Sequence, residues 1–373
     1  IKVPNVPSTV DDYRRYVDEL GIPRREPKAN EVIDRKSLRP YVPLPMDAQY
    51  GQKNKQKYLG QGSVFGVLQT PPEASLGAYM GNEALQELKK IKTNTPFSLT
   101  LSIGPPHPPF IIPEKYASLF DPEKMSIPMS IGDDLLNAPY ERSKKPYDSI
   151  FRNPENIQQM KALYYGMVVQ VDNWVGKLLD ELDRKGVTDN TLVVFTSDHG
   201  ELLGDHGMSG KGKMYEGSTH IPLLMRLPNA IPAGTKINTP VSHHDIYSTI
   251  LDYAGTDIPS NDGYSLRKLI ENEPGTLDYT VSVWGDIEHG GPFMIRQGDW
   301  KLIVYLPVSQ NSSNKTNALY NLKIDPLEMN NLIGSNPEKD KYAKKARELK
   351  KMLREWMKRT DTPYIKELEK ISI

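Results

Sequence analysis

The chain has 373 residues and carries 47 Lys and Arg against 47 Asp and Glu, a zero net charge that argues against a general polyanion-binding surface such as a nucleic-acid face. It has no cysteine, which excludes disulfides, thiolate zinc sites and thiol nucleophiles. No apolar run reaches the length of about eighteen residues that a membrane-spanning helix needs.

Ser8 is placed to cap a first helix, VDDYRRYVDELG, which stops at Gly21. Residues 22–60 are polar and proline-rich without a period, and read as a long surface excursion. NEALQELKKIK (82–92) reads as a short helix and FSLTLSI (97–103) as an apolar strand ended by GPPHPPF; 108–150 reads as proline-rich loop. The strongest period follows. Asn153-Pro154 is a helix start, and Met160, Leu163, Met167, Val171, Trp174, Leu178 and Leu182 recur at helical spacing up to Gly186. TLVVFTSD reads as a buried strand, HIPLLMRLP (220–228) as another, and DIYSTILDYAG (245–255) as a helix stopped by Gly255. This alternation implies an α/β domain over 1–275 with a mostly parallel sheet covered by helices on both faces.

Beyond about 275 the pattern changes. YTVSVW, FMIRQ, WKLIVYL and ALYNL are short strands joined by turns such as Gln297-Gly298-Asp299. A closing helix at 337–359 sets Tyr342, Ala346, Leu349, Leu353 and Trp356 on one face. Residues 276–373 thus read as a smaller C-terminal α+β subdomain, an antiparallel sheet plus helix. Asn311-Ser312-Ser313 and Asn314-Lys315-Thr316 match the N-glycosylation acceptor pattern, a short signal that any polar exposed loop also produces.

In open α/β sheets, ligands bind beyond the carboxyl ends of the strands. TLVVFTSD delivers Asp198 and His199 there, a hard carboxylate and an imidazole suited to a divalent cation. Neighbours on a strand point opposite ways, so leaving the strand at Ser197 and turning through Gly200 is what lets both reach one ion. Glu201, Asp205 and His206 follow; each alone is ordinary in a solvated loop, and together they are candidates to support the site. Lys211 and Lys213 lie in a Gly-Lys-Gly-Lys stretch, where glycines permit close backbone approach and a lysine is a mobile point charge for a tetrahedral oxyanion.

SDHGE, Lys211 with Tyr215-Glu216-Gly217, and His220-Ile-Pro-Leu resemble the sulfatase family of the alkaline phosphatase superfamily. So do Pro106-His107-Pro108-Pro109-Phe110 upstream and Val241-Ser242-His243-His244-Asp245 downstream, then Arg296-Gln-Gly-Asp-Trp-Lys301-Leu and Leu319-Tyr320-Asn321-Leu-Lys-Ile-Asp325-Pro326. The resemblance spans about 95 to 335 in the expected order. It implies a sulfuric ester hydrolase whose substrate is a sulfated carbohydrate or a small sulfate ester. It implies Asp198 and His199 as metal ligands, usually of calcium, with Mg2+ or Zn2+ as alternatives. Lys211, five residues before Glu216 as the motif requires, corresponds to the lysine that contacts the sulfate and leaving-group oxygens; Lys213 does not. His107 corresponds to the histidine that contacts sulfate and assists the leaving group. These are the groups such chemistry needs, because attack at sulfur calls for neutralised equatorial oxygens and a protonated leaving alkoxide.

Further expectations attach to the pocket. His220 is expected to line it, and His289, with Asp286 and Glu288 in the 284–293 loop, to reach substrate hydroxyls. His243 and His244 are expected to cap or support the helix beginning at Asp245. The family's nucleophile is a formylglycine made in a Cys/Ser-x-Pro-x-Arg motif. The chain has neither a cysteine nor a Ser-x-Pro-x-Arg, and it lacks the family's N-terminal Asp-Asp ligands and Gly-Lys-Trp-His segment. The resemblance then implies that an N-terminal part of the same protein carries the nucleophile, and that residues 1–373 alone are inactive and either unstable or bound to an N-terminal fragment after cleavage. The alternatives are a phosphodiesterase or phosphonate hydrolase of the same superfamily, and a catalytically inactive sulfatase-like protein. A secreted, periplasmic or lysosomal setting is the family's usual one.

Overall fold

The computed structural model describes residues 10–34, 36–44, 65–142, 150–273, 278–285, 290–307 and 316–373. Ser8, Asp286, Glu288, His289, Asn311 and Asn314 lie outside the described residues. The chain divides into two compact units, Ile1–Ile127 with Lys145–Asn190, and Pro128–Lys144 with Thr191–Ile373.

In the first unit, helix α1 (Val10–Glu19) buries Tyr13 and Val17, one turn apart. They meet helix α2 (Leu76–Lys90), where the Tyr13 and Tyr79 rings lie 5.7 Å apart. α2 starts before the expected residue 82 because the Ser75 hydroxyl accepts the Ala78 amide hydrogen at 3.3 Å, an N-cap bond. Helix α3 (Pro154–Arg184) has Pro in its first turn and Asn153 as its cap, and buries Met160, Leu163, Met167, Val171, Trp174 and Leu182 as its period requires. Glycines let neighbours come close to these helices. A Cβ at Gly81 would stand 2.3 Å from the Trp174 ring, and one at Gly166 would stand 2.5 Å from the Tyr116 carbonyl oxygen.

Exchanging glycine for alanine inside a helix ordinarily gains about 1 kcal/mol. At Gly166 the new methyl meets backbone, and such overpacking costs about 1–3 kcal/mol. Gly166→Ala is therefore expected to lower the urea midpoint of unfolding, whereas a raised midpoint would show that α3 can shift freely.

The first unit's sheet runs β1 (Val32–Ile33), β2 (Pro40–Pro43), β3 (Phe65–Leu68) and β4 (Phe110–Pro113), in that order. β1–β2 and β2–β3 are antiparallel; the β3–β4 pair is parallel, with the Phe65 and Phe110 rings stacked at 5.4 Å. Two expectations are corrected here. Residues 97–103 alternate half-buried and exposed as a strand would, yet they have no ladder partner among the described residues. The strand lies instead at 110–113, inside the stretch read as loop, where Phe110 and Ile112 bury beside β3. The excursion after Gly21 is also more than surface. It supplies β1 and β2 and the fully buried Arg39, whose guanidinium donates to Asp18 and to the Ile22 carbonyl, both at 2.6 Å.

In the second unit, β5 (Val193–Thr196) pairs antiparallel with β6 (Leu223–Arg226) as a two-stranded ribbon. β5 was expected to be buried, yet Phe195 is exposed, as is Leu224 opposite it, because among the described residues neither strand has a second neighbour. Helix α4 (His243–Tyr253) begins two residues ahead of Asp245. Its capping box is made by Ser242 and Asp245, so His243 and His244 belong to the first turn and are not its caps.

The remaining strands β7 (Tyr279–Val283), β8 (Gly290–Gln297), β9 (Trp300–Pro307) and β10 (Ala318–Asn321) form an antiparallel sheet in the order β10-β9-β8-β7. Period-2 alternation gives it two apolar faces. Phe293, Ile295, Leu302, Val304 and Leu319 pack on Leu349, Leu353 and Met357 of helix α5 (Lys339–Arg359) and on Leu368 of helix α6 (Ile365–Lys370). Met294, Ile303, Tyr305 and Tyr320 turn the other way, onto Leu202, Met208, Met214 and Tyr215 from the loop after β5. The fold is thus α/β with a C-terminal antiparallel sheet and helix. No helix among the described residues is long and apolar enough to cross a membrane.

Candidate active site

The chain leaves β5 at Thr196 and turns at once. Gly200 makes the turn possible: its amide donates to the Ser218 carbonyl at 2.8 Å, and a Cβ there would stand 2.2 Å from the Gly217 oxygen. The turn brings the two candidate ligands together. Asp198 Oδ1 accepts the His199 amide hydrogen at 2.9 Å, and Asp198 Oδ2 stands 3.4 Å from His199 Nε2. His199 Nδ1 lies 2.8 Å from the Gly200 carbonyl, which can only accept, so Nδ1 carries the hydrogen. In the neutral ring Nε2 then presents a lone pair toward a carboxylate oxygen. Hard oxygen and imidazole nitrogen in this relation fit a divalent cation. Among the described residues no third His, Asp or Glu completes a cluster with them.

The loop that follows is pinned at both ends of the Gly-Lys-Gly-Lys stretch. Met208 and Met214 bury against the C-terminal sheet, and the Met214 amide donates to the Tyr140 hydroxyl at 2.6 Å. Glu201 closes the loop by accepting from the Gly210 amide. His206 is almost fully buried; its Nδ1 pairs with Asp133 at 2.7 Å and its ring stacks on Tyr215 at 3.9 Å. Glu201 and His206 therefore shape the loop, and Lys211 sits between its anchors. Asp198, His199, Lys211 and His220 line one cleft of about 1400 Å³.

Below the cleft lies a charged network that residue spacing did not reveal. Arg296 and Lys301 face each other across the β8–β9 ladder, both on the loop side of the sheet. Arg296 donates to Glu216 at 2.8 Å and Lys301 to Glu216 at 2.9 Å. The Lys301 side chain is fully buried and also pairs with buried Glu328 at 2.8 Å, and Glu328 in turn accepts the Glu216 amide hydrogen at 2.6 Å. Burial pushes the Glu216 carboxyl up, but Lys301 and Arg296 outweigh it and hold it below the usual glutamate range. Glu328 goes the other way, because its burial outweighs the pull of Lys301.

Other expected residues fall as follows. His220 is exposed in the cleft, with Nδ1 3.3 Å from Glu216. His243 donates through Nε2 to the Ser197 carbonyl at 2.7 Å, bracing the strand end beside Asp198, a role the sequence reading did not assign. Its signal was present in the adjacent histidines of Ser242-His243-His244-Asp245. His107 belongs to the first unit. It precedes β4 rather than ending a strand, is exposed, and directs Nδ1 to the Pro108 carbonyl at 2.7 Å. His289 lies outside the described residues.

The sulfatase family profile matches residues 34–256, and that of the N-sulphoglucosamine sulphohydrolase C-terminal region matches 204–359. An arylsulfatase of Clostridium perfringens is 30% identical over 270 residues, 70% of this chain and 54% of the relative. An N-acetylglucosamine-6-O-sulfatase of Bacteroides thetaiotaomicron is 38% identical over 210 residues, 54% of this chain and 36% of the relative. The chain thus spans about half the length, or less, of the curated relatives it matches. Among solved structures, one in complex with its substrate D-glucosamine-2-N,6-O-disulfate superposes with a TM-score of 0.66 at 24% identity, covering 82% of this chain and 73% of that one. A phosphonate monoester hydrolase from Silicibacter pomeroyi superposes with a TM-score of 0.66 at 23% identity, covering 83% and 68%, a likeness of fold. With the profile matched over more than half of the residues, the chain belongs to the sulfatase family.

Proposed function

We propose that the complete protein hydrolyses the sulfate ester of a sulfated carbohydrate, with Asp198, His199 and Lys211 supplying the charge that meets the sulfate group. The observation that supports this most is the facing pair of electron-rich atoms, His199 Nε2 and Asp198 Oδ2 at 3.4 Å, in a cleft that Lys211 also lines. Such a pair suits a divalent cation, calcium by its carboxylate and magnesium or zinc as alternatives. When bound, that cation would neutralise the equatorial sulfate oxygens. Lys211 adds a mobile positive charge for the sulfate and for the ester oxygen as it departs. His107 is assigned, on the family resemblance of Pro106-His107-Pro108-Pro109-Phe110, the role of assisting the leaving alkoxide. Residues 1–373 hold neither a cysteine nor a Ser-x-Pro-x-Arg, so they do not fit a formylglycine. In this reading the nucleophile comes from polypeptide outside them, and no step is derived through it. The carbohydrate assignment is supported by the glucosamine sulfatase among the relatives and by the disulfated glucosamine bound to a protein of like fold.

The test is a paired assay of the complete protein, with metal analysis, on N-acetylglucosamine 6-sulfate, an aryl sulfate and a phosphonate monoester. The sulfate esters are expected to be turned over with kcat/KM about 100-fold or more above the phosphonate. A preference for the phosphonate would favour the hydrolase of the Silicibacter kind, and no turnover of any would leave a sulfatase-like protein without activity.

A further inference from the structure

Trp284 belongs to none of the roles above. It follows β7, and its amide donates to the Pro292 carbonyl at 3.2 Å, so it extends the β7–β8 ladder by one residue. Gly291 permits this approach, since a Cβ there would stand 2.0 Å from the Trp284 oxygen. By the alternation of β7 the side chain lies on the same face of the sheet as Ser282 and its partner Met294, the face that carries the Lys211 loop. The ring lies against Gly212, next to Lys211 in sequence: a Cβ at Gly212 would stand 2.8 Å from Trp284 Cε2 and 2.9 Å from Nε1. Yet the residue is 48% exposed, and it lines the same cleft as Asp198, His199 and Lys211. A large aromatic held rigidly by backbone on one side and open to a cleft on the other is a stacking surface.

Resting on the sulfatase reading, we propose that Trp284 is a substrate-binding residue that stacks on the pyranose ring carrying the sulfate and so selects sulfated sugars over acyclic sulfate esters. A quaternary ammonium would call for an aromatic cage; a single open face beside the sulfate-binding lysine suits the flat C–H face of a sugar.

The experiment compares the complete wild-type protein with Trp284→Ala and Trp284→Phe on N-acetylglucosamine 6-sulfate, ethyl sulfate and choline sulfate, with inhibition by inorganic sulfate measured for each. For Trp284→Ala the sugar KM is expected to rise about tenfold with kcat changed less than threefold, while the inhibition constant of sulfate moves less than twofold. Trp284→Phe should recover most of the sugar KM. An unchanged sugar KM overturns the proposal. So does an equal loss of sulfate inhibition, which would make Trp284 a prop for the Lys211 loop. A loss confined to choline sulfate would replace the sugar with a cationic substrate and also overturn it. If the wild-type protein turns over no sulfate ester and is not inhibited by sulfate, the sulfatase reading itself falls.

Discussion

Lys211→Ala in the complete protein is expected to lower kcat for a sulfate ester by about 10²–10³-fold, the loss that follows removal of one preorganised group facing a developing oxyanion. Lys213 serves as the internal comparison. Both lysines line the cleft and both stand in the Gly-Lys-Gly-Lys stretch, but only Lys211 has the family's spacing to Glu216. Lys213→Ala is therefore expected to change kcat less than threefold. If the two variants lost activity equally, the motif assignment would be wrong and the stretch would act only as a diffuse positive surface. Steady-state kinetics with unchanged far-ultraviolet dichroism decides between them.

The second large effect is on stability. Lys301 is fully buried between Glu216 and Glu328, so Lys301→Ala strands the buried Glu328 carboxylate and leaves Glu216 to Arg296. Removing one partner of a buried pair costs about 3–5 kcal/mol. For a unit of this size that is a fall in Tm of about 10 °C, read by calorimetry. Glu216 and Glu328 titrate with opposite signs. Glu216 is held below its ordinary value, so its contribution is present above the unfolded glutamate value of about 4.3 and is lost as pH falls through the lower folded value. Glu328 is raised, so its contribution is complete below the unfolded value and is lost as pH rises through the raised one. In Lys301→Ala the penalty comes from charged carboxylates and should shrink below about pH 4 as both take protons. Lys301→Met with Glu328→Gln removes one charge of each sign at similar volume and is expected to restore more than half of the lost stability. No recovery in that double variant would mean that Lys301 matters for packing and not for charge.

What could be read from the sequence was local. α3 announced itself through Asn153-Pro154 and an unbroken helical period, and β7–β10 through alternation and the Gln297-Gly298-Asp299 turn. Asp198 and His199 are neighbours in the chain, so the strand end alone was enough to suggest that they meet. Partnerships across long separations left no such trace. Glu216 finds Lys301 at a separation of 85 residues and His206 finds Asp133 at 73, and no pattern of spacing encodes either. β4 was missed because prolines on both sides made the segment look like loop, and 97–103 was taken for a strand because alternation reports exposure but not the presence of a neighbouring strand. The Arg296–Lys301 pair lay within a quoted motif, and its meaning emerged only with the register that sets both residues on one face.

That register has a consequence for how the protein can change. Along β8 and β9 each residue answers to a different neighbour from the residue before it: odd positions of β8 and even positions of β9 to α5 and α6, the rest to the Lys211 loop. The sheet works as a partition wall. Substitutions on its helical side need only preserve volume, so that side is free to drift. The opposite side is bound to charge and shape, and drift there alters chemistry while the protein keeps its fold.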